Sequence, residues 1–419
     1  MPDDRGMLRE ISWRELFPFL LLARVYRVAA QPQLLLLAAA GIVLTVAGWN
    51  AVGQVFSGAD DSTLAFQVEQ YSAWPWNTAV RRAEEPWPAW LAFPTGGNRP
   101  LLGPWELLSR PFRLVFSSSV HLTALVVHLL NGLWAAAVWA FFGGAICRVA
   151  AVRLASDERV GLKAALEHAA RYWTAYFFGP AGTLLVVLAA SLMAAAVGWL
   201  LTWDWGIVVI SVIWPLLLLV AVLGVLVLAG LLLGWPLMWA TIGTERSDHF
   251  DALSRSFSYV FGRPLHYLFY LAVAALLGLL GWIFVAAFAE AVIYITAWSV
   301  SWGAGADRFW QIIVNVPHPM PTLFDYTVPS QVAESETLGD VGIALIRFWC
   351  IIVQLLVAGF VYSFFWSSAC GIYALLRYHR DGTELDEVDL DDDALHELPD
   401  LQRDEQDVPI VPETDGNGE

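Results

Sequence analysis

The sequence predicts an all-α fold, a polytopic transmembrane helix bundle of about six spans with amphipathic helices at the membrane interface. Hydrophobic residues make up 58% of the 419-residue chain, and charged residues only 15%. The apolar runs are long and lack the two-residue alternation of a strand. Crossing a bilayer takes about 20 apolar residues in a helix. Because lipid cannot satisfy backbone polar groups, these runs are expected to span as helices.

Six apolar runs together define a membrane domain over residues 33–376. The fourth run would form a helix of about 55 Å, well beyond the hydrocarbon core of a bilayer. We expect one tilted or broken helix with kinks at Pro215 and Pro236. Two spans hinged near Gly224 or Gly230 are the alternative, but they would reverse every later segment. The predicted spans are residues 33–55, 120–147, 174–201, 207–243, 266–297 and 341–376.

Lysine and arginine in the connecting segments predict the orientation of the chain. The segments 1–32, 148–171 and 244–264 are rich in arginine, and Arg377 and Arg380 follow the last span. Short connections that carry basic residues stay on the cytoplasmic side of a membrane. We therefore expect both termini in the cytoplasm, with residues 1–32 as an amphipathic interfacial segment.

Residues 57–119 are predicted to form a tryptophan-rich loop on the outer side. Tryptophan favours the headgroup layer of a membrane. We expect this loop to lie on the outer leaflet as a partly ordered cap. Its tryptophans are Trp74, Trp76, Trp87, Trp90 and Trp105.

Two connecting segments with similar sequences indicate an internal repeat. A shift of 87 residues aligns DERVGLKAALEHAARY at 157–172 with TERSDHFDALSRSFSY at 244–259, and five positions coincide. In a helix, Phe250, Leu253 and Phe257 share one apolar face, which is typical of an elbow lying flat at the interface. A duplicated helix–elbow–helix unit explains the similarity. Chance agreement between sequences rich in apolar residues and arginine is the alternative.

Residues 377–419 are predicted to be an acidic, disordered cytoplasmic tail. The formal net charge of the chain is −16, and residues 381–419 alone contain sixteen acids and one base. Dense like charge with few aromatic residues is typical of disorder. The tail is either a solvating extension or a docking strip for a basic protein partner. The apolar contacts of such a strip would be Leu385, Val388, Leu390, Leu395 and Leu398.

Two ionisable residues inside predicted spans are the leading candidates for a polar pair. Glu290 in the fifth span and Arg347 in the sixth are expected at matching depth near the outer interface. Buried charge needs a partner, so we predict an ion pair between these neighbouring spans. The alternatives are separate snorkelling of both side chains to the interface, and a role in substrate or proton binding.

His128 and Asn131 in the second span are candidate buried polar residues. They lie three residues apart and therefore on one face of the helix. Polar groups at such positions usually form hydrogen bonds to a neighbouring helix. A transport or ligand-binding role is the alternative.

No motif of the sequence predicts catalysis, a cofactor or a metal ion. The chain lacks a phosphate-binding loop, an H-E-x-x-H pair and a G-x-S-x-G elbow. Asp248, His249 and Asp251 are predicted to be a hydrated helix face, because helical spacing points His249 away from its acidic neighbours. The cysteines lie in apolar runs without C-x-x-C spacing, and no basic patch indicates nucleic acid.

The elbow FDALSRSFSYVFGRPLHYLFY and the end RYHRDGTELDEV resemble segments of uncharacterised multi-span bacterial inner-membrane proteins. The resemblance covers most of residues 8–390. It implies a bacterial cytoplasmic membrane and implies no activity.

Three classes of function are compatible with the sequence. The acidic tail and the scarcity of buried charge favour a non-enzymatic membrane scaffold or assembly factor. A transporter or permease for a small molecule or lipid is the alternative, although it would be expected to have more polar groups at the midplane. A lipid-modifying enzyme would need an acid/base or metal cluster near the headgroups. The sequence does not indicate an oligomeric state.

Overall fold

The described part of the chain is entirely helical in its regular structure. A computed structural model describes residues 18–56, 102–115, 122–320, 323–324, 337–385 and 387–388. The all-α prediction is confirmed over these residues. The predictions for residues 1–17, for most of the loop at 57–101 and for the acidic tail from residue 389 lie outside them.

Eleven α-helices are described, with short 3-10 turns at Pro18–Leu20 and Trp199–Thr202. The helices are α1 (Leu21–Ala29), α2 (Pro32–Phe56), α3 (Leu102–Val115), α4 (Leu122–Ala155), α5 (Leu162–Arg171), α6 (Trp173–Gly198), α7 (Asp204–Glu245), α8 (His249–Gly262), α9 (Pro264–Ala304), α10 (Ala306–Asn315) and α11 (Thr337–Asp381).

Six of these helices, α2, α4, α6, α7, α9 and α11, are long and apolar enough to cross a membrane. They confirm a multi-pass bundle of six membrane-spanning helices. Helices α4, α7 and α11 finish at one end of the bundle, where α2, α6 and α9 begin; we call it the Glu245 end. The opposite end, where α6 connects to α7, is the Trp203 end.

The fourth apolar run, which is longer than one span requires, forms one continuous helix. Helix α7 has 42 residues, and Pro215 and Pro236 lie inside it without ending it. Gly230 does not act as a hinge, because it packs closely against the rings of Phe257 and Phe261. The two-span alternative is therefore excluded, and the later segments keep their predicted alternation.

Aromatic packing between α4, α7 and α11 forms the centre of the bundle. Trp239 and Trp366 are stacked with their ring centroids 4.4 Å apart, and Trp139 stacks on Tyr362 at 4.7 Å. A glycine makes room for these rings, since a Cβ at Gly143 would lie 2.7 Å from Trp239. Close packing of this kind drives helix association in lipid, where apolar burial alone provides little.

Part of the predicted outer cap packs alongside the bundle instead. Residues 102–115 form α3, and the Trp105 Nε1 donates a hydrogen bond of 3.0 Å to the carbonyl oxygen of Leu232 on α7. The ring of Phe112 fills the space beside Gly132 on α4. Gly132 lies about 15 Å along α4 from its first residue at 1.5 Å per residue. Helix α3 therefore packs against the sides of α4 and α7, within their length and not beyond their ends.

The two aligned elbow segments share one local architecture. Helix α5 begins at Leu162 and α8 at His249, and these positions are related by the same shift of 87 residues. Ala165 and Ala252, another aligned pair, are both fully buried. Each short helix leads into a long apolar helix. The origin of the similarity by duplication stays a prediction.

Candidate functional site

A network of charged and hydroxyl side chains joins α7, α8 and α11 at the Glu245 end. The carboxylate of Glu245 is its centre. Its Oε2 lies 2.7 Å from Arg255 Nη1 of α8. Its Oε1 accepts a 2.5 Å hydrogen bond from the Tyr373 hydroxyl of α11 and lies 3.4 Å from Arg377 Nη1. One carboxylate thus connects three helices.

The position of Glu245 in α7 explains why the carboxylate needs cationic partners. It is the last residue of the helix, where the unpaired carbonyls carry partial negative charge. The Glu245 side chain is also only 16% exposed. Two guanidinium groups offset the helix dipole and the loss of hydration at once. We therefore regard the network as a device that fixes how α7, α8 and α11 meet.

Helix α8 is oriented by its own first turn. Asp248 is the N-cap residue, and its carboxylate accepts a 2.8 Å hydrogen bond from the backbone N–H of Asp251. Asp251 in turn holds the Nε of Arg255 at 3.0 Å. Asp248 thus caps the helix, and Asp251 orients the arginine that reaches Glu245. Among the described residues, no group of three or more His, Cys, Asp or Glu side chains could hold a metal ion.

The network also fastens the residues that lead into the acidic tail. The Tyr259 hydroxyl of α8 donates a hydrogen bond to the carboxylate of Asp381, and Arg377 Nη2 lies 3.6 Å from Glu387. Burial and the neighbouring Asp381 carboxylate raise the pKa of Tyr259, so its hydroxyl stays protonated and can donate. Leu385 packs against the main apolar core. The chain therefore leaves the bundle from a fixed place.

A second polar group lies beside the first, between α4, α5 and α6. His168 Nε2 lies 3.1 Å from the Tyr176 hydroxyl, which donates to the carbonyl oxygen of Gly144 at 3.4 Å. Arg148 is buried and donates a 3.2 Å hydrogen bond to the carbonyl oxygen of Gly243 near the end of α7. Burial, followed by the charges of nearby arginines, lowers the pKa of His168 to about 3. The imidazole is therefore neutral and serves as a hydrogen-bonding partner.

Glu290 has a different partner from the one predicted. Its Oε1 lies 2.7 Å from His318 Nδ1, and its Oε2 accepts a 3.1 Å hydrogen bond from the backbone N–H of Met320. Glu290 is fully buried and His318 almost so. Arg347, the predicted partner, is an exposed residue of α11. The segment after α10 folds back onto α9, and this return places a histidine where we expected an arginine.

The imidazole of His318 makes hydrogen-bond contacts through both of its ring nitrogens. Nε2 lies 2.8 Å from the carbonyl oxygen of Ile313, which can only accept, so Nε2 is the donor there. Nδ1 lies beside the Glu290 carboxyl at 2.7 Å. These contacts avoid the cost of burying polar groups without hydrogen-bond partners.

His128 and Asn131 are both buried, as expected for polar groups inside a bundle. The indole Nε1 of Trp49 on α2 donates a 2.9 Å hydrogen bond to the backbone carbonyl of Asn131. The Asn131 Oδ1 has no hydrogen-bond partner among the described residues. The connection between α2 and α4 at this level therefore uses the backbone carbonyl of Asn131 and not its side chain.

No sequence pattern predicted that Glu245 would join Arg255, Tyr373 and Arg377. A weak indication was present, because Glu245 belongs to one of the five matching positions of the elbow alignment. His318 gave less indication, since it lies in a proline-rich stretch after a span. Comparisons with protein-family models, with curated proteins and with solved structures find no significant match to this chain.

Proposed function

We propose that this multi-pass membrane protein is a non-enzymatic scaffold or assembly factor whose Glu245 end presents the acidic C-terminal segment to a basic protein partner. The contacts of Asp381 with Tyr259 and of Glu387 with Arg377 support this role. These contacts fix the point from which the acidic segment starts. A fixed starting point makes a recruiting segment effective at a defined place on the membrane.

The charge of the remaining chain supports a basic partner. Residues 389–419 contain twelve acidic residues and one basic residue. Clustered charge of one sign accelerates encounter with an oppositely charged partner, and the attraction weakens as salt rises. The partner is therefore expected to carry a lysine- or arginine-rich surface.

The Glu245 network is better suited to holding α7, α8 and α11 together than to catalysis. Both oxygens of Glu245 already contact guanidinium or hydroxyl groups. A general base needs a free oxygen near a substrate proton. The arrangement favours a fixed platform over an acid/base centre.

The same proposal places the Glu245 end and both termini in the cytoplasm of a cell with a bacterial inner membrane. The arginine-rich connections and Arg377 support this orientation. Fluorescent-protein and alkaline-phosphatase fusions after residue 388 test it. Fluorescence without phosphatase activity is the expected result, and phosphatase activity without fluorescence would contradict the orientation.

The recruiting role is tested by cross-linking in native membranes followed by purification. Three chains are compared: the full chain, a chain ending at Val388, and a full-length chain in which every acid of residues 389–419 is replaced by its amide. We expect partners of the full chain to be lost from both variants and to weaken at high salt. Partners retained by both variants would contradict the proposal and favour the transporter alternative.

A further inference from the structure

A crevice of about 390 Å³ lies between α3, α4, α6 and α7. Its size falls within the range of ligand sites in proteins, about 300–1,000 Å³. It runs from Val225, which is 64% exposed on the outside of α7, to the buried rings of Trp235 and Trp239. The crevice is therefore open toward the side of the bundle that faces lipid.

The walls of the crevice are apolar with two exceptions. Ala181 and Leu184 of α6 and Leu228 of α7 are typical of the lining. Among the described residues that line the crevice, only Arg113 is charged and only Ser109 has a hydroxyl group. An apolar crevice with one cation and one hydroxyl group matches the acyl chain and the polar headgroup region of a lipid. It does not match a water-soluble solute.

Both polar residues come from α3, the helix inserted beside the spans. The Arg113 guanidinium lies 5.0 Å from the centre of the Trp105 ring, which is itself fixed by its hydrogen bond to Leu232. The Trp105 ring holds the Arg113 guanidinium in place for an anion, because the planar arrangement of its N–H donors matches a phosphate group. Helix α3 carries a second arginine, Arg110, and one acid, Glu106, so its net charge is positive.

Ser109 provides an independent indication of a ligand. It is 9% exposed, and its Oγ is buried without a hydrogen-bond partner among the described residues. A buried hydroxyl without a partner costs free energy, and a serine in a helix can usually bond to the carbonyl four residues earlier. Rotation about the Cα–Cβ bond of Ser109 would turn the hydroxyl into the crevice, where a ligand with an acceptor oxygen would satisfy it.

We propose that this crevice binds one acyl chain of an anionic phospholipid. The chain lies between α6 and α7 on one side and α3 on the other. Ser109 donates to an ester carbonyl, and the long side chain of Arg113 reaches the phosphate in the way that arginine extends toward an interface. The bound lipid fills the space under α3 and holds this helix against the spans.

Photo-cross-linking of the full chain in vesicles tests the proposal. The vesicles contain phosphatidylcholine and phosphatidylglycerol at three to one, with a diazirine on one acyl chain of the phosphatidylglycerol. Ala229→Phe fills the crevice, and Val222→Phe adds the same ring on the exposed outside of the same helix as its matched control. Arg113→Gln removes the charge, with the exposed Arg347→Gln as control.

In the unchanged protein, we expect the diazirine to label residues 102–115 and residues 225–239. Ala229→Phe should reduce it about tenfold, the effect of about 1.4 kcal/mol, while Val222→Phe leaves it unchanged. Arg113→Gln should reduce labelling by phosphatidylglycerol to a similar degree but not labelling by phosphatidylcholine carrying the same diazirine. Arg347→Gln should change neither.

Equal labelling of the two phenylalanine variants would overturn the acyl-chain site. Equal labelling of Arg113→Gln and the unchanged protein would overturn the assignment to an anionic lipid. If Ala229→Phe fails to fold, Ala181→Leu narrows the same crevice from α6. Competition for the probe can be measured in the unchanged protein, without any variant. Unlabelled phosphatidylglycerol should displace the probe, and unlabelled phosphatidylcholine should not. Equal displacement by the two lipids would contradict the proposal.

Discussion

Glu245 and Arg255 form a 2.7 Å ion pair that joins the last residue of α7 to the middle of α8. The same carboxylate contacts Tyr373 and Arg377 of α11. The long helices α7 and α11 and the elbow helix α8 are thereby held at one point.

Glu245→Gln should destabilise the protein by about 1.5–3 kcal/mol, the usual range for a hydrogen bond to a charged group. The amide removes the negative charge and leaves Arg255 and Arg377 facing each other. Thermal unfolding in a mild detergent provides the measurement. Glu167→Gln is the control, because Glu167 pairs with Lys163 in a solvent-exposed position and should change stability by less than about 0.5 kcal/mol. Similar losses in both variants would show that the network contributes no more than a surface pair.

Gly143→Ala should destabilise the aromatic centre of the bundle by about 1–3 kcal/mol, the usual cost of overpacking. The new Cβ would lie 2.7 Å from Trp239 and 3.0 Å from Trp366. Gly224→Ala is the matched control, since nothing lies within 4 Å of a Cβ at that position. Removing a glycine from a helix there should be neutral or stabilising. An unchanged melting temperature for Gly143→Ala would mean that the three spans are less closely packed than described.

His318→Ala should cost about 3–5 kcal/mol, because it leaves the fully buried Glu290 without its imidazole partner. Stability can be measured by thermal unfolding, and protease cleavage between residues 305 and 320 reports whether the returning segment has detached. Arg347→Ala should change neither quantity, since Arg347 is exposed. A large effect of Arg347→Ala, reversed by Glu290→Ala, would restore the ion pair predicted from the sequence.

Acid should destabilise the protein partly through His168. Its pKa is about 3 in the folded protein, below the value of about 6.5 for a free histidine. The unfolded chain then binds a proton that the folded chain does not, between pH 6.5 and pH 3. Stability from this residue is complete above pH 6.5 and is lost as pH falls through that window. His168→Gln should make the melting temperature less dependent on pH from 6.5 to 4, and an unchanged slope would contradict the assignment.

The sequence predicted six long apolar helices correctly, because continuous apolar runs leave a chain few alternatives in a bilayer. Residues 207–243 form one helix even with two prolines, because a hinge at Gly230 would break its packing on α8. The elbow at 244–264 was also expected from the arrangement of its apolar residues, and it forms α8.

The contacts between distant segments could not be predicted in the same way. Glu290 and His318 meet because the chain turns back after α10, and no periodic pattern specifies that return. Helix α3 has the tryptophan, proline and arginine of an interfacial loop, yet Trp105 finds a partner deep along α7. Such partners depend on which helices become neighbours, and a single sequence does not encode this locally.

The Glu245 end holds the start of the acidic tail in one position, through Tyr259 and Arg377. Spin labels at Lys163→Cys and Glu384→Cys, in a background without native cysteines, report the distance between α5 and the tail. A single narrow distribution is predicted, which becomes broad when Tyr259→Phe and Arg377→Gln remove the fastening contacts. A distribution as broad in the unchanged protein as in the double variant would contradict the claim.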